Sequence, residues 1–571
     1  MYLIFAFYFH EIFQETDGYA YYEYYQDIVL NDLPPRNSEF WPFGLPILIG
    51  SLSLLIGDFF IAGKIIIVEF SILFLFSIYI SIRKVFNDRV AIFTYLFIAT
   101  HVNLIIVYFT ILGDIPFASL IILSVYFLFD NTTESKKNLI YSSIFLGLAT
   151  MIRWTGLLCL PVIFVKIILD NMKISNNLLK KKIYNITIHL FICFGVFLLT
   201  ILPYLFINTL WWGSPFYNDQ IFNIHKAMKI YEDSESYHYN KEEASWFWFF
   251  FGPEAPLFYE QWFYSFFIEF PRLFVINFEF PFDIGRILFN LILALIFIIY
   301  SIKYKKDQDI SKNKFLFITF LVTFFFIIIF IGFLGLIFFF FLILIIFIYY
   351  TEFKKRKANP HHEFLFIFFF LIFYLLIISM GFAELRFLFP ILPFLIAPLI
   401  FIVLKLLDFF LRNIVLVFEK LNKFNKNFLR DKRISYCISI IIAIFFVFQL
   451  ISSYDRVILY KKIERVEYRI AGEFLRDKID ENDKIIGNKK NYRYYIGKGV
   501  ILNVPNAENI NQFFLDIQSA DYLIICEALE VFSYPELDFL LNTSSVDIPD
   551  FLIPIYNYEK PGRRIVIYEI L

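Results

Sequence analysis

Charge is scarce in this chain of 571 residues: Asp, Glu, Lys and Arg make up 18%, where a water-soluble protein carries about 25%. That shortage excludes a single soluble globular enzyme. An apolar content of 59% equally excludes disorder. The 51 basic and 52 acidic residues nearly cancel, so bulk charge carries no signal for nucleic acid, and no nucleic-acid partner is expected. Cysteine is rare as well. Of the four, Cys159, Cys193 and Cys437 lie inside apolar runs and Cys526 stands apart, so neither a disulfide framework nor a zinc spacing is present. The chain also lacks a glycine-rich dinucleotide turn, a P-loop, an H-E-x-x-H helix and any tandem repeat.

What the chain has in abundance is long apolar sequence, with 80 Phe among its residues. A helix needs about 20 apolar residues to cross a bilayer. Runs of that kind occur at about 62–82, 90–110, 116–130, 139–152, 155–170, 184–207, 286–302, 315–332, 333–350, 363–380, 387–405 and 435–452. Phe315 to Tyr350 carries no charge; as one helix it would be about 54 Å long, so it reads as two spans turning near Gly332–Gly335. Met1 to Phe13 is apolar but short, and counting it brings the total to about thirteen spans.

The positions of the charges orient these spans. Basic clusters fall at Arg83–Lys84–Arg89, Lys136–Lys137, Lys180–Lys182, Lys303–Lys306, Lys354–Lys357 and Lys420–Arg433, each separated from the next by an even number of runs. The long intervening loops, Gln14–Trp41 and about 208–285, are rich in acid and poor in Lys and Arg. The positive-inside rule therefore puts the basic turns in the cytoplasm and both long loops outside. From about Tyr454 the composition changes. Tyr468–Ile479 and Ile510–Ile517 have helical spacing, whereas Lys484–Ile486, Asp521–Cys526 and Arg564–Glu569 read as strands. The expected architecture is an all-α polytopic membrane protein (residues 1–455) with a small C-terminal α/β extracytoplasmic domain (456–571).

On this topology six ionisable groups share the outer face: Asp17, Lys64, Asp114, Arg153, Glu384 and Arg386. Charge near hydrocarbon is costly unless it is paired, hydrated or used. Plain alternatives exist for each: Asp114 could cap a helix starting at Pro116, and the basic residues could snorkel. Glu69 reads as a paired group inside the bundle. His225 and His238 lie among solvated charge, and Trp211–Trp212 and Trp246–Trp248 read as interfacial belts. Taken together, carboxylates beside permanently charged groups at a lipid–water boundary suit a substrate with a phosphate head and an apolar tail. A transporter would instead concentrate ionisable groups near the midplane, where these runs are almost free of charge.

Four stretches carry a family resemblance. TDGYAYYEYYQDIVLND leads into EFWPFGLPILIG and IAGKII; FTILGDIPFASLIIL, GLATMIRWTGLLCLP and ELRFLFPILPFL follow in order. Together they resemble the GT-C glycosyltransferases, of the family 39 type that includes protein O-mannosyltransferases and aminoarabinose transferases. The resemblance implies sugar transfer, with inversion, from a polyprenyl (dolichyl or undecaprenyl) phosphate donor to a protein or lipid/glycan acceptor on the extracytoplasmic face. By the same resemblance Asp17 is the base or a metal ligand, with Asp114 as the second catalytic acid beside it. Lys64, Arg153, Glu384 and Arg386 bind the substrate. A divalent metal ion is left open by the resemblance, since Gly18 stands where many relatives have a second acid. The richness in Ile, Phe, Lys, Asn and Tyr points to the plasma membrane of a prokaryote, and the parity of about thirteen spans puts the C-terminus outside.

Overall fold

The structure is a computed structural model, and it describes residues 16–101, 107–129, 135–172, 179–217, 348–349, 360–378, 388–405, 440, 466–487, 489–506, 509–527, 530–559 and 564–571. The first elements are helices α1 (Thr16–Leu30), α2 (Gly44–Ile56), α3 (Phe59–Val85) and α4 (Asp88–Thr100). Asp58 starts α3 by accepting the Ile61 N–H at 2.8 Å, and Asn87 starts α4 through the Val90 N–H at 2.9 Å. Arg83 and Lys84 in the last turn of α3 complement the helix dipole. Helices α5 (Asp114–Leu128), α6 (Ser135–Ile152), the single turn α7 (Thr155–Leu158), α8 (Leu160–Met172), α9 (Leu179–Trp212), α10 (Pro360–Ile378) and α11 (Leu392–Lys405) follow.

These helices pack around one apolar core. Helix α3 lies against α2, α4 and α5; α5 lies against α6, and α6 against α9. Their buried residues run continuously from Tyr21 and Leu45 through Ile67, Phe74 and Ile121 to Phe370 and Leu395. Among the described residues two helices are long and apolar enough to cross a membrane, Phe59–Val85 and Lys182–Trp212.

Several expected spans differ in detail. Among the described residues of the run at 90–110, α4 ends at Thr100 and His101 is extended. Residues 107–112 fold back into the core instead, where Ser71 donates to the Tyr108 carbonyl at 3.2 Å and the Tyr108 hydroxyl donates to the Ile98 carbonyl at 2.8 Å. Those side chains serve backbone that a helix would have satisfied internally. The run at 155–170 is likewise divided, between α7 and α8. Helix α2, whose 13 residues fall short of the about 20 that a crossing needs, was not among the expected spans. The expected spans at 286–302, 315–332 and 435–452, nearly all of 333–350, and the apolar start Met1–Phe13 lie outside the described residues, apart from isolated positions.

The C-terminal part contains a five-stranded sheet in the order β2-β1-β3-β5-β4. Its strands are β1 (Lys484–Ile486), β2 (Val500–Leu502), β3 (Tyr522–Cys526), β4 (Leu552–Tyr558) and β5 (Ile565–Ile570). β1 pairs in parallel with β2 and β3, and β5 runs antiparallel to β3 and β4. Side chains alternate between the faces of the sheet. Leu523, Ile525, Val566 and Tyr568 join Phe513 and Ile517 of α14 (Ile510–Ile517) on one side. Ile524, Cys526, Ile565 and Ile567 join Tyr468 and Leu475 of α12 (Val466–Arg476), with Tyr492 and Ile496 of α13 (Lys489–Ile496), on the other.

Glycine sets the closest approach near α1. A Cβ on Gly44 would sit 2.4 Å from the Met151 carbonyl oxygen, so α2 and the end of α6 touch there through backbone. Gly44→Val should therefore lower the thermal midpoint of the solubilised full-length protein by the equivalent of about 1–3 kcal/mol. An unchanged midpoint would show that these two helices do not meet as described.

Candidate active site

Asp114 and Arg153 meet where two neighbouring helices end. Asp114 is the first residue of α5, and Arg153 follows the last residue of α6, its N–H still bonded to the Ala149 carbonyl at 2.9 Å. The carboxylate therefore faces the positive end of one helix dipole, and the guanidinium faces the negative end of the other. Their side chains form a salt bridge of 2.9 Å and are 2% and 12% exposed. Asp114 does not cap its own helix: the N-cap is Gly113, which has no side-chain bond. Pro116 falls in the first turn, where no N–H is missed.

The first long loop of the sequence reaches the same place. Asp17 and Tyr21 are one turn apart on α1, and Tyr21 is 1% exposed. Burial first, then the charge of Asp17, pushes the Tyr21 phenol far above its ordinary value; Arg153 opposes the shift and Asp114 adds to it. Tyr21 is accordingly a neutral hydroxyl, able to donate a hydrogen bond but not to act as an oxyanion. A Cβ on Gly113 would stand 3.1 Å from its oxygen and 3.4 Å from Arg153 Nε, so the glycine lets all three groups crowd together. Trp41 completes the wall. Its ring meets Tyr21 edge-on at 5.5 Å and lies 5.7 Å from the Arg153 guanidinium carbon.

A second set of charges holds the loop that carries Trp41. Asp27, buried at the far end of α1, accepts from Arg36 Nε at 2.7 Å, from the Arg36 backbone N–H at 2.8 Å, and from the second guanidinium nitrogen. Arg36 also reaches Glu23 at 3.3 Å. The hydrogen bond with Asp27 is the main reason that the Arg36 guanidinium holds its proton even more tightly than usual. Such a forked pair ties Arg36 to α1 in one geometry.

The structure thus brings together Asp17, Asp114 and Arg153 from three distant regions of sequence. Lys64 is 3% exposed on the second turn of α3, with its ammonium 4.4 Å from the centre of the Phe60 ring. The adjacent Gly63 packs on Ile111, in the segment that leads to Asp114. Glu384 and Arg386 lie outside the described residues. Trp154 is buried against Tyr204 at 5.1 Å. Tyr21 and Trp41 were missed as site residues. The one signal for Tyr21 was its place four residues after Asp17, and Trp41 had none beyond its place in the stretch EFWPFGLPILIG.

Among the described residues no group of three or more His, Cys, Asp or Glu could hold a metal ion. The cation beside Asp114 is Arg153 itself.

Residues 42–209 match the family model described as dolichyl-phosphate-mannose-protein mannosyltransferase. That stretch contains Lys64, Asp114 and Arg153 but not Asp17. No curated protein sequence matches the chain. The crystal structure of ArnT from Cupriavidus metallidurans bound to undecaprenyl phosphate is similar over 99% of this chain and 96% of its own, with a TM-score of 0.52 and 11% identity. Its apo form gives 0.51 and 10% over the same shares. The apo oligosaccharyltransferase of Archaeoglobus fulgidus gives 0.49 and 13%, covering 92% of this chain and 67% of that one.

Removing one member of a buried ion pair leaves a charge without its partner. Asp114→Ala and Arg153→Ala should each cost about 3–5 kcal/mol, and the double variant should cost clearly less than their sum. Thermal unfolding of the four full-length proteins measures this. Simple additivity would mean that the two side chains do not interact.

Proposed function

We propose that this chain is a GT-C membrane glycosyltransferase that transfers a sugar from a polyprenyl-phosphate donor to an acceptor hydroxyl at the extracytoplasmic face, a reading supported by the family match over residues 42–209 and by the shared fold. The observation that carries this reading is the meeting of Asp17, Tyr21 and the Asp114–Arg153 pair at one end of the bundle. The match to a dolichyl-phosphate-mannose-protein mannosyltransferase family supports a dolichyl-phosphate donor, and the undecaprenyl phosphate in the similar ArnT structure supports a lipid phosphate of that class.

The chemistry needs a base on one side of the anomeric carbon and cations on the other. Asp17 accepts the proton of the attacking hydroxyl. The new C–O bond forms as the bond between the anomeric carbon and the phosphate oxygen breaks, the electron pair leaves on the polyprenyl phosphate, and the configuration inverts. Asp114 and Arg153 act as a pair. With its charge engaged by Asp114, Arg153 shapes the floor of the site beneath Trp41, and Lys64 and Arg386 are the cations that hold the donor phosphate. Glu384, two positions before Arg386 in sequence, is a further substrate-binding group in this reading. Tyr21, neutral and buried, offers a hydrogen bond toward the Asp17 side of the cleft. Electrostatic stabilisation of the departing phosphate supplies much of the barrier lowering.

The same reading includes about thirteen spans over residues 1–455 and an extracytoplasmic α/β domain over residues 456–571, in the plasma membrane of a prokaryote. Docking of α13 against α1 supports the placement of both on one side.

Asp17→Asn keeps the shape of the side chain and removes its basicity. In membranes supplied with a polyprenyl-phosphate sugar it should lower turnover about 10²–10⁴-fold with little change in folded yield. Full activity in that variant would remove Asp17 from the chemistry.

A further inference from the structure

Residues near the end of the chain reach back to the start of it. Tyr494, on α13, donates its hydroxyl to Asp58 Oδ1 at 3.3 Å, across 436 positions of sequence. The same Oδ1 accepts the Ile61 N–H that starts α3. The Tyr494 ring also meets the Tyr22 ring edge-on at 4.7 Å. Tyr22 in turn lies 5.5 Å from Phe59, and Tyr25 stacks on Phe59 at 5.6 Å. One side chain therefore touches two elements at once: α1, which carries Asp17 and Tyr21, and the N-cap of α3, which carries Lys64 little more than a turn later.

We propose that Tyr494 is a positioning residue, by which the C-terminal sheet and its helices hold the Asp17 helix in register with the Lys64 helix. This rests on the reading of Asp17 as the base. Helix α1 needs such a hold. It runs for 15 residues and exposes Val29 and Leu30 at its far end, and isolated helices of that length are marginal on their own. The Arg36 fork secures that far end through Asp27, while Asp17 lies at the other. Tyr22, the contact for Tyr494, sits between them. Tyr494 is well seated to serve as a fixed donor, since burial, followed by the charge of Asp58, pushes its phenol far above the ordinary value and keeps it protonated. Its own backbone is anchored by its neighbours in the chain. Tyr492 is fully buried under the sheet, and Tyr495, 6% exposed, gives its carbonyl to Arg476 Nε at 2.7 Å.

A positioning role differs from a purely structural one in what it changes. Full-length Tyr494→Ala should lower kcat about tenfold with the donor KM within about twofold, because small misplacement of a catalytic group is costly. Tyr494→Phe, which keeps the ring contact and loses only the hydrogen bond, should fall between that variant and wild type. Hydrogen exchange on the same proteins reads the hold directly. In Tyr494→Ala the amides of residues 16–30 should exchange about tenfold faster while those of β3 and β5 keep their protection. Unchanged exchange in α1 would overturn the proposal, and so would an equal loss of protection in β3 and β5, which would mean general unfolding. Exchange does not depend on any substrate. If wild-type protein transfers no sugar from a polyprenyl phosphate, the glycosyltransferase reading fails while the exchange data still decide whether Tyr494 holds α1.

Discussion

A buried ion pair between two helix ends is the constraint on which the site depends. Taking either ion out of water costs several kcal/mol, and the attraction between Asp114 and Arg153 offsets part of that cost. Their helices make the pairing favourable, because α5 begins and α6 ends at the same level and the two dipoles present opposite signs there. Once the pair is in place, the remaining geometry follows. Gly113 leaves room beside Arg153, the Tyr21 hydroxyl enters that room, and Trp41 covers the guanidinium. Asp17 is then carried to the cluster by the same helix that carries Tyr21.

How much of this could be read from the residues depended on whether the signal was local. The segments at Lys484–Ile486 and Ile510–Ile517 lie where their spacing indicated, because strand alternation and helical periodicity are written within a few positions. Charge clusters indicated that Asp17, Asp114 and Arg153 share one end, since a charge beside an apolar run has few other places to be. Their pairing was not legible. Asp114 before a proline reads equally well as a cap, and only the packing of α5 on α6 decides that it turns to Arg153. The return of residues 107–112 into the core was hidden for a related reason. Hydropathy reports that Val107 to Leu112 is apolar but does not report that its carbonyl bonds are made by Ser71 instead of by a helix. Helix α2 has 13 residues, too few to register as a crossing, and its glycines Gly44 and Gly50 admit Met151 and Tyr25 at close range.

The two ends of the chain contribute to one site by different physical means. The N-terminal loop supplies Asp17, the base in the proposed reading, on a short helix whose far end is fixed by the charged fork of Arg36 on Asp27. The C-terminal sheet contributes through aromatic contact and one hydroxyl, with Tyr494 bridging Tyr22 and Asp58. Helix dipoles and a buried ion pair form the fixed base, and the outer helix is held on it from two sides. That division suits a group that must stay in place while a long lipid donor enters and leaves.

The central claim is that the lipid phosphate binds beside this cluster. An experimental structure of the full-length protein with a polyprenyl phosphate bound tests it most directly. The account predicts phosphate density at the α1 end of the bundle, within hydrogen-bonding distance of Lys64 or Arg386 and open to Asp17, with the Asp114–Arg153 bridge intact. Phosphate at the opposite end of the bundle, or at the α1 end with Asp17 turned away from it, would contradict the account.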